Sequence, residues 1–247
     1  MLSVLKKRLN NGWFFPRYIG IVYIEPVMRE VKSYARGTML DVGCGTRRYE
    51  SIFSEVVDAY VGLDWPEIED HARPDVVGDA MRLPLKTASV DVVLATELME
   101  HLPSPHNFLM EVGRVLRDGG TLILSVPFME PIHEAPRDYY RFTPFSLRLL
   151  LEEHGFSIQK IWKKGGWWSV VLGSFVNQSL YDWATSPDKT GRRRYGLLAF
   201  LVLPICALMQ WFSYQLDRVF HSQKYTLGYT LLAVRGLKTS PQQTLLS

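Results

Sequence analysis

The chain has 247 residues, of which 47% are hydrophobic, and its 28 Lys and Arg against 25 Asp and Glu give a formal net charge of +3. This composition excludes a disordered chain, a collagen-like chain and a small disulfide scaffold, and it allows a sizeable core. The two cysteines, Cys44 and Cys206, lie far apart in apolar runs, so we expect unpaired thiols and a cytoplasmic protein. The apolar residues near the amino terminus are interrupted too often to predict a signal-peptide core.

Charge is distributed unevenly along the sequence. Residues 1–36 carry a net charge of +5, residues 37–159 carry −10, and residues 160–196 carry +5. Basic segments therefore flank an acidic middle. A protein that binds along a nucleic-acid backbone needs positive charge in its binding cleft. This distribution therefore argues against a nucleic-acid partner.

Short apolar runs alternate with helical patterns between residues 38 and 126, which is typical of a parallel sheet built from βαβ units. Helices are predicted over residues 107–116 and, after Pro144, over residues 144–154. About sixty residues, 165–224, separate the last two strands, so we predict an insertion with its own structure. The predicted strands are 38–42, 59–64, 76–78, 90–95, 121–126, 156–162 and 225–234.

Polar groups follow the first three predicted strands, at the sheet edge where open α/β folds bind ligands. The sequence LDVGCGT at 40–46 places glycines where the backbone turns tightly and approaches a ligand without an intervening Cβ. Asp64 ends the second strand, where a carboxylate can accept hydrogen bonds from ribose hydroxyls, and Asp79 follows the third. A dinucleotide is less favoured, because Arg48 stands where the G-x-G-x-x-G fingerprint requires glycine.

These motifs make the chain resemble the class I S-adenosylmethionine-dependent methyltransferases of the methyltransferase type 11 subgroup. The resemblance implies an α/β, Rossmann-like seven-stranded sheet with an antiparallel last strand, preceded here by the apolar helical insertion. It covers residues 37–162 and the last strand. The matching stretches are LDVGCGT at 40–46, YVGLDW at 60–65, GDAMRLPL at 78–85, VDVVLATELMEHL at 90–102, RVLRDGGTLILSVPF at 114–128, HEAPRDYYRFTP at 133–144 and GFSI at 155–158.

The resemblance also implies S-adenosyl-L-methionine as the cofactor and assigns residues to its parts. Asp41, Gly43, Cys44 and Gly45 would border its methionine, and Asp64 would contact its ribose. Asp79, Ala80 and Met81 would hold its adenine, with Trp65 covering the ring. Thr96 and Glu97 would flank the methionine end near the transferred methyl.

Arg47 departs from the family pattern, because many relatives carry glycine there, and some relatives with a charged residue carry proline where Arg48 stands. We therefore expect a differently shaped first ligand loop. The two arginines would face either solvent or an anionic substrate, and solvent is favoured because exposed arginine is the default.

Methyl transfer from a sulfonium needs an aligned nucleophile and, for a hydroxyl or protonated amine, removal of a proton, so no catalytic signature is guaranteed. The loop after the fifth strand supplies the candidates. His133 is a candidate base because imidazole titrates near neutral pH, and Tyr139 and Tyr140 are further catalytic candidates.

The same loop supplies candidate substrate contacts in Glu134, Asp138 and Arg141, which could shape an acceptor pocket or hold an anion. The alternative is a packed lid in which Asp138 and Arg141 pair with each other. We expect His101 to be hydrogen-bonded scaffold near the site. We predict no metal site, because the acidic residues and histidines near His101 in the sequence lack the ligand spacing of a zinc site.

The insertion contains seventeen uncharged residues, 196–212, directly after Arg192, Arg193 and Arg194. A bilayer span needs about twenty apolar residues, and Pro204 interrupts this stretch, so we favour a segment lying in the membrane interface over a full span. Its tryptophans and arginines suit anionic lipid headgroups. The alternatives are packing against the sheet and an interface between two copies of the chain.

The sequence predicts a basic, aromatic helical segment over 1–36, a methyltransferase core over 37–164, the insertion over 165–224, the last strand over 225–236 and a flexible tail over 237–247. We expect methyl transfer to a small-molecule, lipid-linked or envelope-glycan acceptor, with peripheral contact to an anionic membrane on its cytoplasmic face. A homodimer is compatible with the sequence. The alternatives are a non-catalytic S-adenosylmethionine-binding membrane scaffold and a methyltransferase of a soluble small metabolite.

Overall fold

The computed structural model describes residues 18–65, 74–185, 197–220 and 224–236. Residues 1–17 of the predicted amino-terminal segment, the arginine triplet and the predicted tail lie outside the described residues. The chain divides into two compact units. One comprises Met1–Pro26, Pro127–His133 and Lys163–Tyr229, and the other comprises Val27–Val126, Glu134–Trp162 and Thr230–Ser247.

Seven strands form one sheet in the order β3-β2-β1-β4-β5-β7-β6. The strands are β1 (Thr38–Val42), β2 (Ala59–Asp64), β3 (Val76–Val77), β4 (Val90–Thr96), β5 (Leu116–Pro127), β6 (Phe156–Lys164) and β7 (Gly228–Arg235). Neighbours from β3 through β5 are parallel. The amide of Phe128 donates to the carbonyl of Leu227, and the hydroxyl of Thr230 donates to that of Ser125, so β7 runs antiparallel to β5. The predicted seven-stranded α/β sheet is confirmed.

The helices are α1 (Tyr18–Val31), α2 (Glu50–Phe53), α3 (Pro105–Val115), α4 (Pro144–Glu153), α5 (Asn177–Thr185) and α6 (Leu197–Val219), with a π-helix over Ser169–Val176. The side chain of Ser104 caps α3 by accepting from the amide of Asn107, and Thr143 and Ser146 form a capping box at α4. These caps place both helix starts close to their predicted positions. None of the described helices combines the length and the apolar character needed to cross a membrane.

The central strands β1, β4 and β5 contain long runs of buried apolar residues, as parallel strands buried on both faces do. Strand β5 begins at Leu116, directly after α3 ends at Val115, so the predicted start of this strand at residue 121 is wrong. Leu116 pairs with Val90 and Thr121 with Val92, which places a register shift between the two pairs. Gly119 has a φ of +75° there, so glycine lets the strand bulge without breaking.

Asp217 near the end of α6 organises the unit that contains the predicted insertion. Its carboxylate accepts hydrogen bonds from the amides of Gly166 at 2.8 Å and of Trp168 and Ser169 at 3.0 Å each. These amides lie at the start of the π-helix, where backbone donors lack partners within the helix. The hydroxyl of Tyr23 donates to the same carboxylate at 3.3 Å. Asp217 therefore connects α1, the π-helix and α6.

Replacing Asp217 by alanine would leave the buried amides of Gly166 and Ser169 without this acceptor, so the free energy of unfolding should fall by about 3 kcal/mol. Denaturant unfolding followed by circular dichroism measures the change. The control is Asp182→Ala, which removes an exposed carboxylate bonded to Gln178 and should cost less than about 0.5 kcal/mol. Equal losses in the two variants would contradict the role of Asp217.

Candidate functional site

The carboxyl ends of β1, β2 and β4 meet at a cavity of about 720 Å³, whose lining residues all belong to the unit that begins at Val27. The strand register places Val42 of β1 beside Leu63 of β2 and Ala95 of β4. Loops leaving neighbouring parallel strands therefore converge at one edge, where α/β sheets bind ligands. The predicted cofactor residues that line the cavity are Gly43, Gly45, Asp64, Trp65, Asp79, Ala80, Met81 and Glu97.

The first ligand loop crosses the end of β2. The amides of Gly43 and Cys44 both donate to the carbonyl of Leu63, at 2.8 and 3.1 Å. Gly43 has a φ of +71°, and a Cβ built on it would lie 2.9 Å from Cδ1 of Leu98. This position needs glycine for its backbone conformation and for the space in front of it.

Asp64 links this loop to the end of β2. Its Oδ2 accepts from the amide of Gly45 at 2.7 Å, and its Oδ1 accepts from the amide of Trp65 at 2.8 Å. A carboxylate offers about four acceptor sites, so both oxygens keep capacity for a ligand's hydroxyl groups. Asp64 is 8% exposed, and the neighbouring Trp65 is partly exposed beside it. The geometry fits the predicted ribose contact.

The adenine end of the predicted site is held by a turn after β3. Oδ1 of Asp79 accepts from the amide of Met81 at 2.8 Å, which fixes the backbone of the turn. Leu98 and Leu102 line the same cavity and supply apolar surface. A flat aromatic base fits between apolar walls of this kind.

Arg47 does not face solvent as predicted. Its guanidinium contacts Asp75 at 2.9 and 3.1 Å and Glu50 at 2.9 Å, and it lies 5.6 Å from the ring centroid of Tyr60. Only 17% of its side chain is exposed, whereas Arg48 is exposed. The prediction is wrong for Arg47 because the loop gives its guanidinium two carboxylate partners.

Asp75 is the carboxylate that connects Arg47 to the sheet. It also accepts from the amide of Gly62 at 2.8 Å, so one carboxylate joins Arg47 to strand β2. The hydrogen bond from Gly62 and the guanidinium of Arg47 lower the pKa of Asp75. These contacts hold the loop on the side away from the cavity, and the side chain of Arg47 does not fill the cavity.

Two of the predicted methionine-end residues are buried. Asp41 is 2% exposed and accepts from the hydroxyl of Tyr60, and burial raises its pKa to about 7. Cys44 belongs to the loop itself, and burial raises the pKa of its thiol to about 12. Asp41 thus supports the loop from strand β1.

Glu97 occupies the end of β4 with a left-handed backbone, at a φ of +51°. Its amide donates to the carbonyl of Ser125 at 2.9 Å, and the hydroxyl of Ser125 donates to its Oε1 at 2.6 Å. Thr96, the last residue of β4, pairs with Ser125 in the sheet. A non-glycine residue with this backbone costs about 1 to 3 kcal/mol and persists where its surroundings hold it, commonly at functional sites.

The predicted catalytic and substrate residues after β5 separate into groups. Glu134 and Tyr139 line the cavity. Asp138 and Arg141 form a two-point ion pair at 2.6 and 2.7 Å, as in the packed-lid alternative. The hydroxyl of Tyr140 donates to the carbonyl of Pro103 at 3.1 Å.

His133 belongs to the other unit, where its Nδ1 lies 3.2 Å from the carbonyl oxygen of Pro131. The cavity instead contains His101, whose Nδ1 lies 2.6 Å from the carbonyl oxygen of Arg137. A carbonyl only accepts, so this contact assigns the ring proton to Nδ1. The motif ELMEHL at 97–102 signalled this residue, yet the sequence alone did not predict that it lines the cavity.

Comparison with known proteins gives a domain match over the strands and loops that form the cavity. Residues 40–124 match the family model described as a methyltransferase domain. A Mycolicibacterium smegmatis protein named "Probable S-adenosylmethionine-dependent methyltransferase" is 31% identical over 163 residues, which are 61% of each chain. The chain thus spans about three fifths of the length of this curated relative.

Two solved structures share the fold. An S-adenosylmethionine-dependent methyltransferase from Mesorhizobium loti is 15% identical with a TM-score of 0.52, covering 85% of this chain and 96% of its own. The [4+2]-cyclase SpnF is 18% identical with a TM-score of 0.56, covering 87% of this chain and 81% of its own.

These low identities show the fold alone, and one fold can host different reactions. The match to a methyltransferase domain covers the glycine loop, Asp64, Asp79 and Glu97. Residues 40–124 are therefore similar to a methyltransferase domain, and the Mycolicibacterium smegmatis relative is named as S-adenosylmethionine-dependent.

Proposed function

We propose that the protein binds S-adenosylmethionine in the cavity at the ends of β1, β2 and β4 and transfers its methyl group to an acceptor. The arrangement of Gly43, Asp64 and Asp79 around this cavity carries the proposal. Asp64 would accept from the ribose hydroxyls, and the turn from Asp79 to Met81 would hold the adenine. The backbone of Gly43 and Gly45 would border the methionine. The bound cofactor supplies an electrophilic methyl group on a sulfonium.

The charge of the cavity suits this cofactor. Carboxylates of Asp64, Asp79, Glu97 and Glu134 line it together with Arg137, and a cleft with an excess of negative charge attracts a cation. Glu97 is held in place by two hydrogen bonds with Ser125. A fixed carboxylate at the end of β4 would favour the cationic end of the ligand without a cost for reorganisation.

The acceptor would enter beside Glu134 and Tyr139, which line the cavity on the side of the loop after β5. Positioning the acceptor atom in line with the methyl group supplies most of the rate in such a reaction. The ion pair between Asp138 and Arg141 stabilises this loop, so we do not assign these two side chains to acceptor binding. Tyr139 is the catalytic candidate that lines the cavity, so we assign removal of an acceptor proton to Tyr139.

We favour a lipid-linked or envelope-glycan acceptor at the cytoplasmic face of a membrane. The support comes from the helices of the other unit, where Trp167, Trp183 and Trp211 are all partly exposed. Tryptophan is enriched where proteins meet the membrane interface. Methylation of a soluble small metabolite and a scaffold without turnover are the alternatives that an experiment must separate.

The acceptor class can be tested by incubating the protein with S-adenosylmethionine labelled in its methyl group. A bacterial lipid extract and an aqueous metabolite extract serve as separate acceptor pools, and label is counted after phase partition. We expect label in the organic phase with the lipid extract. Label only in the aqueous pool would indicate a soluble metabolite. Cofactor binding without label in either pool would overturn methyl transfer and favour a scaffold.

Gly43→Ala should weaken S-adenosylmethionine binding about tenfold, because the new methyl group would strain a left-handed backbone and meet Leu98 at the cavity wall. The matched control is Gly119→Ala, since Gly119 has a φ of +75° but nothing within 4 Å of the added Cβ. Isothermal titration calorimetry should show a dissociation constant for the control within about twofold of wild type. Equal weakening in both variants would place the effect in backbone strain rather than in the cavity.

A further inference from the structure

The buried face of helix α6 carries three polar side chains, Gln210, Ser213 and Asp217. Residues on that face follow spacings of three and four, so they lie along one side of the helix. Water-soluble surface helices place an apolar stripe against the core and polar residues outside. The buried residues of α6 are Val202, Cys206, Gln210, Ser213 and Asp217.

The polar groups on this face are satisfied within the protein. Oε1 of Gln210 accepts from the amide of Ile19 at 2.8 Å, and the hydroxyl of Ser213 donates to the carbonyl of Gln210 at 2.8 Å. Asp217 accepts three amides at the start of the π-helix. The polar atoms of this face therefore do not require water.

The outward face of α6 is apolar along most of its length. Leu208 is 65% exposed and Phe212 is 53% exposed. The π-helix repeats the pattern, since Ser174 near its end is buried while Phe175 and Val176 are exposed. We call the exposed apolar residues of these helices the inverted face; they are Phe175, Val176, Ile205, Leu208, Trp211, Phe212 and Val219.

An exposed apolar surface with polar groups satisfied behind it fits an apolar environment outside the helix. We propose that the inverted face inserts into the apolar layer of a membrane surface that carries anionic headgroups. The helices lie in the plane of the interface and do not cross the bilayer. This proposal concerns where the protein binds and does not depend on methyl transfer.

Charge favours a bilayer over a second copy of the chain as the occupant. The segment that joins α5 to α6, residues 186–196, contains Lys189 and the arginine triplet against a single acid, Asp188. Basic residues next to a membrane-seated helix are attracted to anionic lipids. Trp183 near the end of α5 is exposed and adds an interfacial side chain. A second copy would bring the same positive charge.

The test uses the full chain and vesicles made of equal parts of phosphatidylcholine and phosphatidylglycerol. We expect co-sedimentation with these vesicles and binding at least about tenfold weaker with phosphatidylcholine alone. The double variant Leu208→Glu with Phe212→Glu should lose at least about tenfold in the vesicle partition coefficient. The matched control is Leu149→Glu on α4, where the leucine is 67% exposed, and its partitioning should stay within about twofold of wild type.

Insertion can also be measured without these substitutions. Vesicles with brominated acyl chains should quench the tryptophan fluorescence of the wild-type protein, and Trp211→Phe should reduce that quenching. Wild-type protein left in the supernatant with both vesicle types would overturn the proposal. A second result would also overturn it: the wild-type protein is a dimer in sedimentation velocity without vesicles, and the Leu208→Glu, Phe212→Glu double variant is a monomer. That result would make the inverted face an interface between copies.

Discussion

The hydrogen bond from the amide of Gly45 to the carboxylate of Asp64 is the interaction on which the proposed site depends. It connects the loop after β1 to the end of β2, and it holds both sides of the cavity at a fixed separation. The second oxygen of Asp64 accepts from the amide of Trp65, so the carboxylate is already oriented before a ligand arrives. A group held in this way loses little freedom on binding, which favours affinity.

Arg47 helps to hold the loop at a position where the family resemblance favours glycine. The guanidinium contacts Asp75 and Glu50, and Asp75 in turn accepts from the amide of Gly62 in β2. The ion pairs compensate for a φ of +56°, a conformation that disfavours side chains. The loop is thereby fastened on its outer side by Arg47 and on its inner side by Asp64.

Much of the fold could be predicted from the sequence, because alternating apolar strands and helical patterns indicate a parallel βαβ sheet and the family resemblance implies its seven strands. The positions of Gly43, Asp64 and Asp79 could be predicted because strand ends in a parallel sheet converge. The partners of Arg47 could not be predicted, since Asp75 lies far along the chain and no local sequence pattern indicates the contact. The bulge at Gly119 resembled a turn because glycine favours both. The buried polar face of α6 depends on tertiary neighbours such as Ile19, which composition does not reveal.

Calorimetric titration of the full chain with S-adenosylmethionine tests the central claim most directly. Wild type should bind with a dissociation constant in the micromolar range. Asp64→Ala should bind about ten to a hundred times more weakly, because a charged acceptor of ligand hydrogen bonds is removed. Asp58→Ala, which removes an exposed carboxylate just before the opposite end of β2, should bind like wild type. Absence of binding heat in the folded wild type, or equal affinity in Asp64→Ala, would contradict the proposed cofactor site.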